Sequence, residues 1–286
     1  MNRKLRIIAP FIAFMLLVQI IPSSVRAENT SPVIKGTFQF LQVGGSEPLT
    51  ETYFYSDDYF TGSSLDDNTH RTTMSMALAL STFEEHNDSY VTALLNETGF
   101  EDIRTEDMNI RPTRETIGTA IARKKINGTD LVAVAVRGAN YASEWASNLT
   151  VGPDGNCLGL SEASEKVAAR IKSYIKEHEL ENVKLWITGY SRAGAVAGLT
   201  GVLINEQPDA FSTTEENIYV YTFEAPKASA SPVIYDNIRC IRNRNDIITY
   251  IYPYEWGIYS NGVDILTGEP VEIKICTLDP ISFIRS

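Results

Sequence analysis

One stretch, from Val183 to Ile204, constrains the fold more than any other: V-K-L-W-I-T-G-Y-S-R-A-G-A-V-A-G-L-T-G-V-L-I. Val183, Leu185 and Ile187 alternate with their neighbours, the period of a short strand. Gly189 to Ala193 turn the chain. Ala193 to Ile204 is a run of small and apolar residues, which predicts a helix lying close against a sheet. A strand, a tight turn and a helix with Ser191 at the corner put the serine hydroxyl on a strained, exposed bend at the carboxyl end of the strand. The next backbone N–H, that of Arg192, and the helix N-terminus then face any oxyanion formed there. Gly189 and Ala193 flank the serine at minus two and plus two, positions that crowd each other in such a turn, and both are small. The competing reading is an ordinary strand-to-helix turn that happens to hold a serine.

The rest of the chain supplies the sheet. L-V-A-V-A-V at 131–136 and I-Y-V-Y-T-F at 218–223 are apolar runs of strand length, and 237–242 is a further strand. Residues 116–125 pair with 131–136 through an Asn127-Gly128 hairpin turn. Helices are expected at 69–85, 89–97 and 141–149. Another is expected at 162–180, where Val167, Ile171, Tyr174, Ile175 and His178 share a face. Residues 29–50 read as an edge hairpin around Gly44-Gly45, and 53–67 as an aromatic, acidic, turn-rich segment. Strands alternate with helices from residue 131 onward, which argues an α/β architecture with a mostly parallel central sheet and helices on both faces.

The chain of 286 residues begins M-N-R-K-L-R, runs apolar from Ile7 to Ile21, and continues P-S-S-V-R-A. That is the pattern of a secretory signal cleaved near Ala27. It divides the sequence into a signal peptide, 1–27, and one domain, 28–286, destined for the extracellular space. Loss of 1–27 removes four basic residues and no acids, so the formal charge moves from −11 to −15. So acidic a domain excludes nucleic acid and anionic membrane surfaces as natural partners. Cys157, Cys240 and Cys276 form no disulfide framework and no metal-binding spacing. Buried free thiols are the simpler expectation, with a Cys240–Cys276 bridge as the alternative.

A nucleophilic serine needs a base, and an acid to orient the base. In a sheet of this kind the acid follows a later strand on the same rim. Asp246, just past the 237–242 strand, meets that requirement. Glu224, at the end of 218–223, is the reserve acid.

In five blocks the sequence resembles the class 3 lipases of the α/β-hydrolase fold: Val134-Ala135-Val136-Arg137-Gly138, W-A-S-N-L at 145–149, Trp186 to Ala195, Y-T-F-E-A-P at 221–226 and I-R-N-R-N-D-I-I at 241–248. The resemblance implies a serine hydrolase cleaving carboxylic esters through an acyl-Ser191 intermediate, with Asp246 as the acid. It implies an oxyanion hole formed by the backbone N–H groups of Arg192 and Ala139. The expected substrate is a small-molecule or lipid ester. No metal, organic cofactor or stable protein partner is implied. The 141–149 segment is expected as a lid that touches a lipid surface, or as a buried helix. The sequence departs from the family in three places. Ala139 stands where relatives carry Ser or Thr. Cys157-Leu158-Gly159-Leu160 replaces H-x-G-F. All three histidines, His70, His86 and His178, precede Ser191, so none follows Asp246. His178 precedes the Val183–Thr188 strand, whose six residues put it roughly 20 Å from Ser191 at the opposite rim. The expectation is a gene that continues past Ser286 and supplies the base. The alternative is an impaired or inactive hydrolase-fold binding protein.

Overall fold

The apolar run L-V-A-V-A-V becomes the middle of a sheet because it is apolar on both sides of the strand. In the computed structural model, which describes residues 31–41, 47–83, 88–108, 116–138, 151–152, 155, 157–230, 232–243, 249 and 261–265, it forms β5 (Thr129–Val136). Val132, Val134 and Val136 point into one core cluster, and Leu131, Ala133 and Ala135 into the other. Alternation of side chains on a pleated strand makes that sorting automatic. All elements named below belong to the unit Val33–Ser286.

In chain order the elements are β1 (Ile34–Leu41), β2 (Pro48–Tyr55), α1 (Thr69–Leu80), α2 (Ser89–Glu97), β3 (Glu101–Glu106), β4 (Thr119–Ile126), β5, α3 (Leu158–Glu177), β6 (Lys184–Tyr190), α4 (Arg192–Glu206), β7 (Ile218–Phe223), β8 (Ile238–Asn243) and β9 (Asn261–Ile265). The main sheet has seven strands in the order β3-β4-β5-β6-β7-β8-β9. β3, β4 and β5 pair antiparallel. From β5 to β9 every pairing is parallel. Asn127 and Gly128 join β4 to β5 with positive φ at both positions, 51° and 85°, the geometry a two-residue hairpin turn needs.

The two faces differ in chemistry. α3 and α4 cover one, where Val167, Ile171 and Val196 of the helices share an aliphatic core with Leu185, Ile187 and Val220 of the sheet. α1, α2 and the hairpin β1–β2 cover the other, which is aromatic: Tyr55, Phe60, Phe100, Trp186, Tyr219 and Tyr221. Burying one large side chain of these kinds contributes about 1.5–3 kcal/mol, so the sheet is held from both sides. The Phe60 and Trp186 rings lie 4.8 Å apart, and Phe60 meets Tyr219 edge-on at 5.5 Å. α1 is fixed along β6 by two hydrogen bonds. Trp186 Nε1 donates to Ser75 Oγ at 2.7 Å, and Thr188 Oγ1 donates to the Ser75 carbonyl at 3.0 Å.

Several sequence expectations change. The first hairpin is not an edge of the main sheet but a separate two-stranded sheet. Its second strand, Pro48–Tyr55, reaches into the segment read as turns, because Tyr53 and Tyr55 alternate into the aromatic core. The first helix stops at Leu80, not 85. The 162–180 helix begins earlier, at Leu158, and ends at Glu177 with His178 as its C-cap. β3 and β9 were not anticipated. The 1–27 segment, the 141–149 helix and Cys276 lie outside the described residues.

Parallel registers define two rims. Leu131 and Lys184 lie level at the amino ends of β5 and β6, while Val136 and Gly189 lie level at the carboxyl ends. Tyr190 is level with Phe223. The carboxyl rim therefore holds the serine turn.

Candidate active site

Ser191 sits between the last residue of β6 and the first of α4, at φ 59° and ψ −129°. A non-glycine residue in that region costs of order 1–3 kcal/mol and persists only where its surroundings impose it. Here three hydrogen bonds do so. The Ser191 N–H donates to the Phe223 carbonyl at 2.8 Å, and the Ser191 carbonyl accepts from the N–H groups of Gly194 and Ala195 at 2.8 and 3.3 Å. The hydroxyl makes no capping bond to the helix it precedes, so it is not spent as an N-cap. A Cβ on Gly189 would lie 2.3 Å from the Ala193 carbonyl oxygen. The crowding expected between minus two and plus two is thus real, and it involves backbone. Ser191 is not exposed as expected; it retains 6% of its surface. The end of β7 closes over the turn: Phe223 O and Ala225 Cβ stand 3.0 and 3.2 Å from where a Gly194 side chain would begin.

Arg192 opens α4, in the first turn, where helix geometry aims backbone N–H groups outward from the end. Its buried guanidinium donates to the Gly159 carbonyl at 3.4 Å and links the first turns of α4 and α3. On the neighbouring strand end, Arg137 N–H donates to the Gly118 carbonyl at 2.8 Å. Its guanidinium turns inward to the Met108 carbonyl, so Arg137 holds β5 to its neighbours. Gly138, next along, is buried. The Phe83 ring lies over it, with Cζ 2.4 Å from where a Cβ would be. The same ring meets Tyr190 edge-to-face at 5.5 Å. Nothing in the sequence reading pointed to Phe83; an aromatic three residues beyond a helix end carries no periodic signal.

Glu224, the reserve acid, ends β7 in a left-handed conformation, φ 48°. It is 8% exposed. Both carboxylate oxygens accept from the Asn243 N–H, at 2.9 and 2.8 Å, and its own N–H donates to the Ile241 carbonyl at 2.9 Å. Glu224 thereby fixes the exit of β8, three residues before Asp246. Close by, burial pushes the Lys227 ammonium below its usual pKa, and the Arg242 guanidinium adds to that. Glu224→Ala leaves the Asn243 N–H without this acceptor and should cost about 1–3 kcal/mol, read as a lower urea midpoint. Glu224→Gln, which keeps an acceptor, should lose less. Equal stability of all three proteins would show that the clamp carries no energy.

Residues 133–255 match the model of the family Lipase (class 3). Over that stretch the chain is similar to the class 3 lipases, and its sheet and helices are those of an α/β-hydrolase-like fold. The match runs from β5 through β8 and includes the serine turn. Among solved structures, this chain is similar to a lipase from Rhizopus microsporus var. chinensis (16% identity, 63% of this chain and 66% of that one, TM-score 0.42). It is also similar to the extracellular lipase LipA from Serratia marcescens (14% identity, 73% and 43%, TM-score 0.45). A third is a fungal lipase (15% identity, 71% and 81%, TM-score 0.47). The chain spans less than two thirds of the length of the first two. No curated protein sequence matches it.

Of the site residues expected from the sequence, Ser191, Arg192 and Glu224 lie at the carboxyl rim. Ala139 and Asp246 lie outside the described residues, as does His86. Cys157 is a buried free thiol at the start of α3, where its N–H donates to the Ala228 carbonyl at 3.0 Å; Cys240, in β8, is also free and buried. The other two histidines are far from the serine. His70 stacks on Tyr59 with centroids 5.4 Å apart. Next to Tyr59, Phe60 accepts a hydrogen bond from Lys184 Nζ at the amino end of β6. His178 packs on Tyr174 at 4.4 Å, with Nδ1 3.8 Å from Asp102. Asp102 bonds to Arg123, which stands beside Val132 near the start of β5. Both imidazoles belong to the amino rim, opposite Ser191.

Proposed function

We propose that this chain is a serine hydrolase acting on carboxylic esters of small molecules or lipids, with Ser191 as the atom acylated. The observation that carries the reading is the turn itself: a serine at φ 59°, pinned by Phe223 and backed by a glycine with no room for a methyl group. The match of residues 133–255 to the class 3 lipase model supports the same chemistry. In the proposed reaction Ser191 Oγ attacks the ester carbonyl while a general base takes its proton and returns it to the departing alcohol. The Arg192 and Ala139 N–H groups hold the developing oxyanion, as donors aimed at charge that appears only in the transition state. The alcohol departs and water releases the acyl group. Asp246 orients that base, which neither His70 nor His178 supplies, and Glu224 holds Asn243 at the end of β8. The reaction takes no metal or cofactor. Folded protein should take up an alkyl fluorophosphonate covalently and cleave p-nitrophenyl esters but not peptide anilides. Failure of both, in a folded sample, rejects the proposal.

A second reading has an observation in its favour. His70 and His178, the histidines among the described residues, lie on the wrong rim. A hydrolase fold that binds esters without turning them over fits that arrangement, since fold alone does not fix function. Binding of an intact ester with no covalent label at Ser191 would select it.

We also propose export, with a cut near Ala27. The support is the basic start, the apolar run 7–21 and the Val25-x-Ala27 pattern. N-terminal sequencing of protein recovered from the medium should begin at or next to Glu28. Recovery in the cytosol with Met1 intact would contradict export.

A further inference from the structure

Phe83 stands between the two arms of the site without belonging to either. It follows α1, and its backbone is fixed at both ends. Its N–H donates to the Leu80 carbonyl at 2.8 Å, and its carbonyl accepts from the Leu41 N–H at 2.7 Å. The ring is held just as firmly. Its tip lies on Gly138, the residue before the proposed oxyanion donor Ala139, and leaves no space for a Cβ there. Its edge meets the Tyr190 ring, the residue before Ser191. Phe83 and Tyr190 are both only half-buried. An aromatic pair in that state leaves part of its surface uncovered at the carboxyl rim, against Gly138 and next to the residue that precedes Ser191. Exposed apolar surface next to a nucleophile that is itself nearly covered is where the apolar part of a substrate gains most by leaving water.

We propose that Phe83, backed by Tyr190, is the wall against which the apolar chain of the ester lies, and that the size of residue 83 sets the chain length the site accepts. The proposal rests on the reading of the Ser191 turn as the place where the ester sits, because it is the position beside Ser191 that makes this surface a substrate wall. Phe83 is a specificity-determining residue in this account; it moves no proton.

The test separates the wall from the chemistry. In Ser191→Ala protein, which cannot turn over ester, binding of a p-nitrophenyl ester series from acetate to laurate is followed by calorimetry. Affinity should rise with each methylene until the chain meets the wall, then level off. Phe83→Ala should carry the rise to longer esters, by about fourfold in affinity per methylene newly accommodated. Phe83→Trp should level off earlier, and Phe83→Leu should fall between Phe and Ala. The Leu and Trp variants keep the test decisive if the alanine protein does not fold. A series that binds equally at every length, or variants that weaken all esters by one common factor, would overturn the proposal. Fluorophosphonate labelling of the protein with Ser191 present is read in parallel. Label without a shift in chain length sinks the wall and leaves the hydrolase. A shift without label sinks the hydrolase and leaves the wall.

Discussion

Ser191→Ala is expected to abolish ester hydrolysis and covalent uptake of fluorophosphonate while leaving the fold intact. The variant removes the attacking oxygen and little else. The Ser191 hydroxyl caps nothing in α4, so no helix bond is lost with it. The strain at φ 59° remains, because alanine meets the same backbone penalty as serine. Any turnover left would come from binding and oxyanion donors alone, which supply about 10³–10⁴-fold over water in enzymes of this kind. Rates with p-nitrophenyl acetate, alongside a thermal melt, check both parts. Undiminished hydrolysis by a folded Ser191→Ala protein would place the chemistry elsewhere.

Gly189→Ala is expected to do comparable damage from a residue that touches no substrate. The new Cβ would stand 2.3 and 2.5 Å from the Ala193 carbonyl oxygen and carbon and 3.0 Å from the Gly194 nitrogen. All three are backbone atoms of the first turn of α4, so no side chain can swing aside. Either the turn opens, or β6 shifts against α4. Overpacking of a core side chain costs about 1–3 kcal/mol, and a collision between backbones should reach the top of that range or exceed it. Opening the turn would also move the Arg192 N–H, the proposed oxyanion donor, away from Ser191, and loss of one such donor costs about 10²–10³ in rate. The matched control is Gly198→Ala on the same helix. Its nearest neighbour would be Thr222 Cγ2 at 3.8 Å, an ordinary contact. Replacing a mid-helix glycine should stabilise by about 0.5–1 kcal/mol. Urea unfolding of the two variants should therefore move in opposite directions. Equal, small effects would mean that the turn is not as tight as the geometry states.

Much of the fold was legible because strong periodicity and strong burial coincide in it. The 218–223 strand could be read to the residue, since every one of its side chains is buried. The Asn127-Gly128 turn was legible because both positions demand positive φ. β3 was not. Glu101, Asp102, Arg104 and Glu106 make four of its six residues charged, which is the composition of a surface loop. It is a strand because it borders the sheet on one side only and its charges find partners there: Arg104 with Glu177, and Glu101 and Asp102 with Arg123. Edge strands commonly carry such charge. α3 was read four residues short because it begins at Cys157 with no capping side chain; the usual start signal is missing. In the site, the serine was legible from its small neighbours. Phe83 was not, since contact between residues 83, 138 and 190 is made by the sheet and by α1, not by any local pattern. Glu224 was legible as a carboxylate at the right rim, but its bonds to Asn243 are a tertiary fact.

The most direct measurement is the location of the covalent adduct after the protein is treated with an alkyl fluorophosphonate, digested and sequenced by mass spectrometry. The account predicts a single phosphonylated residue, Ser191, in the peptide that spans β6 and α4. Modification at any other side chain, or an unmodified Ser191 in protein shown to be folded, would contradict it.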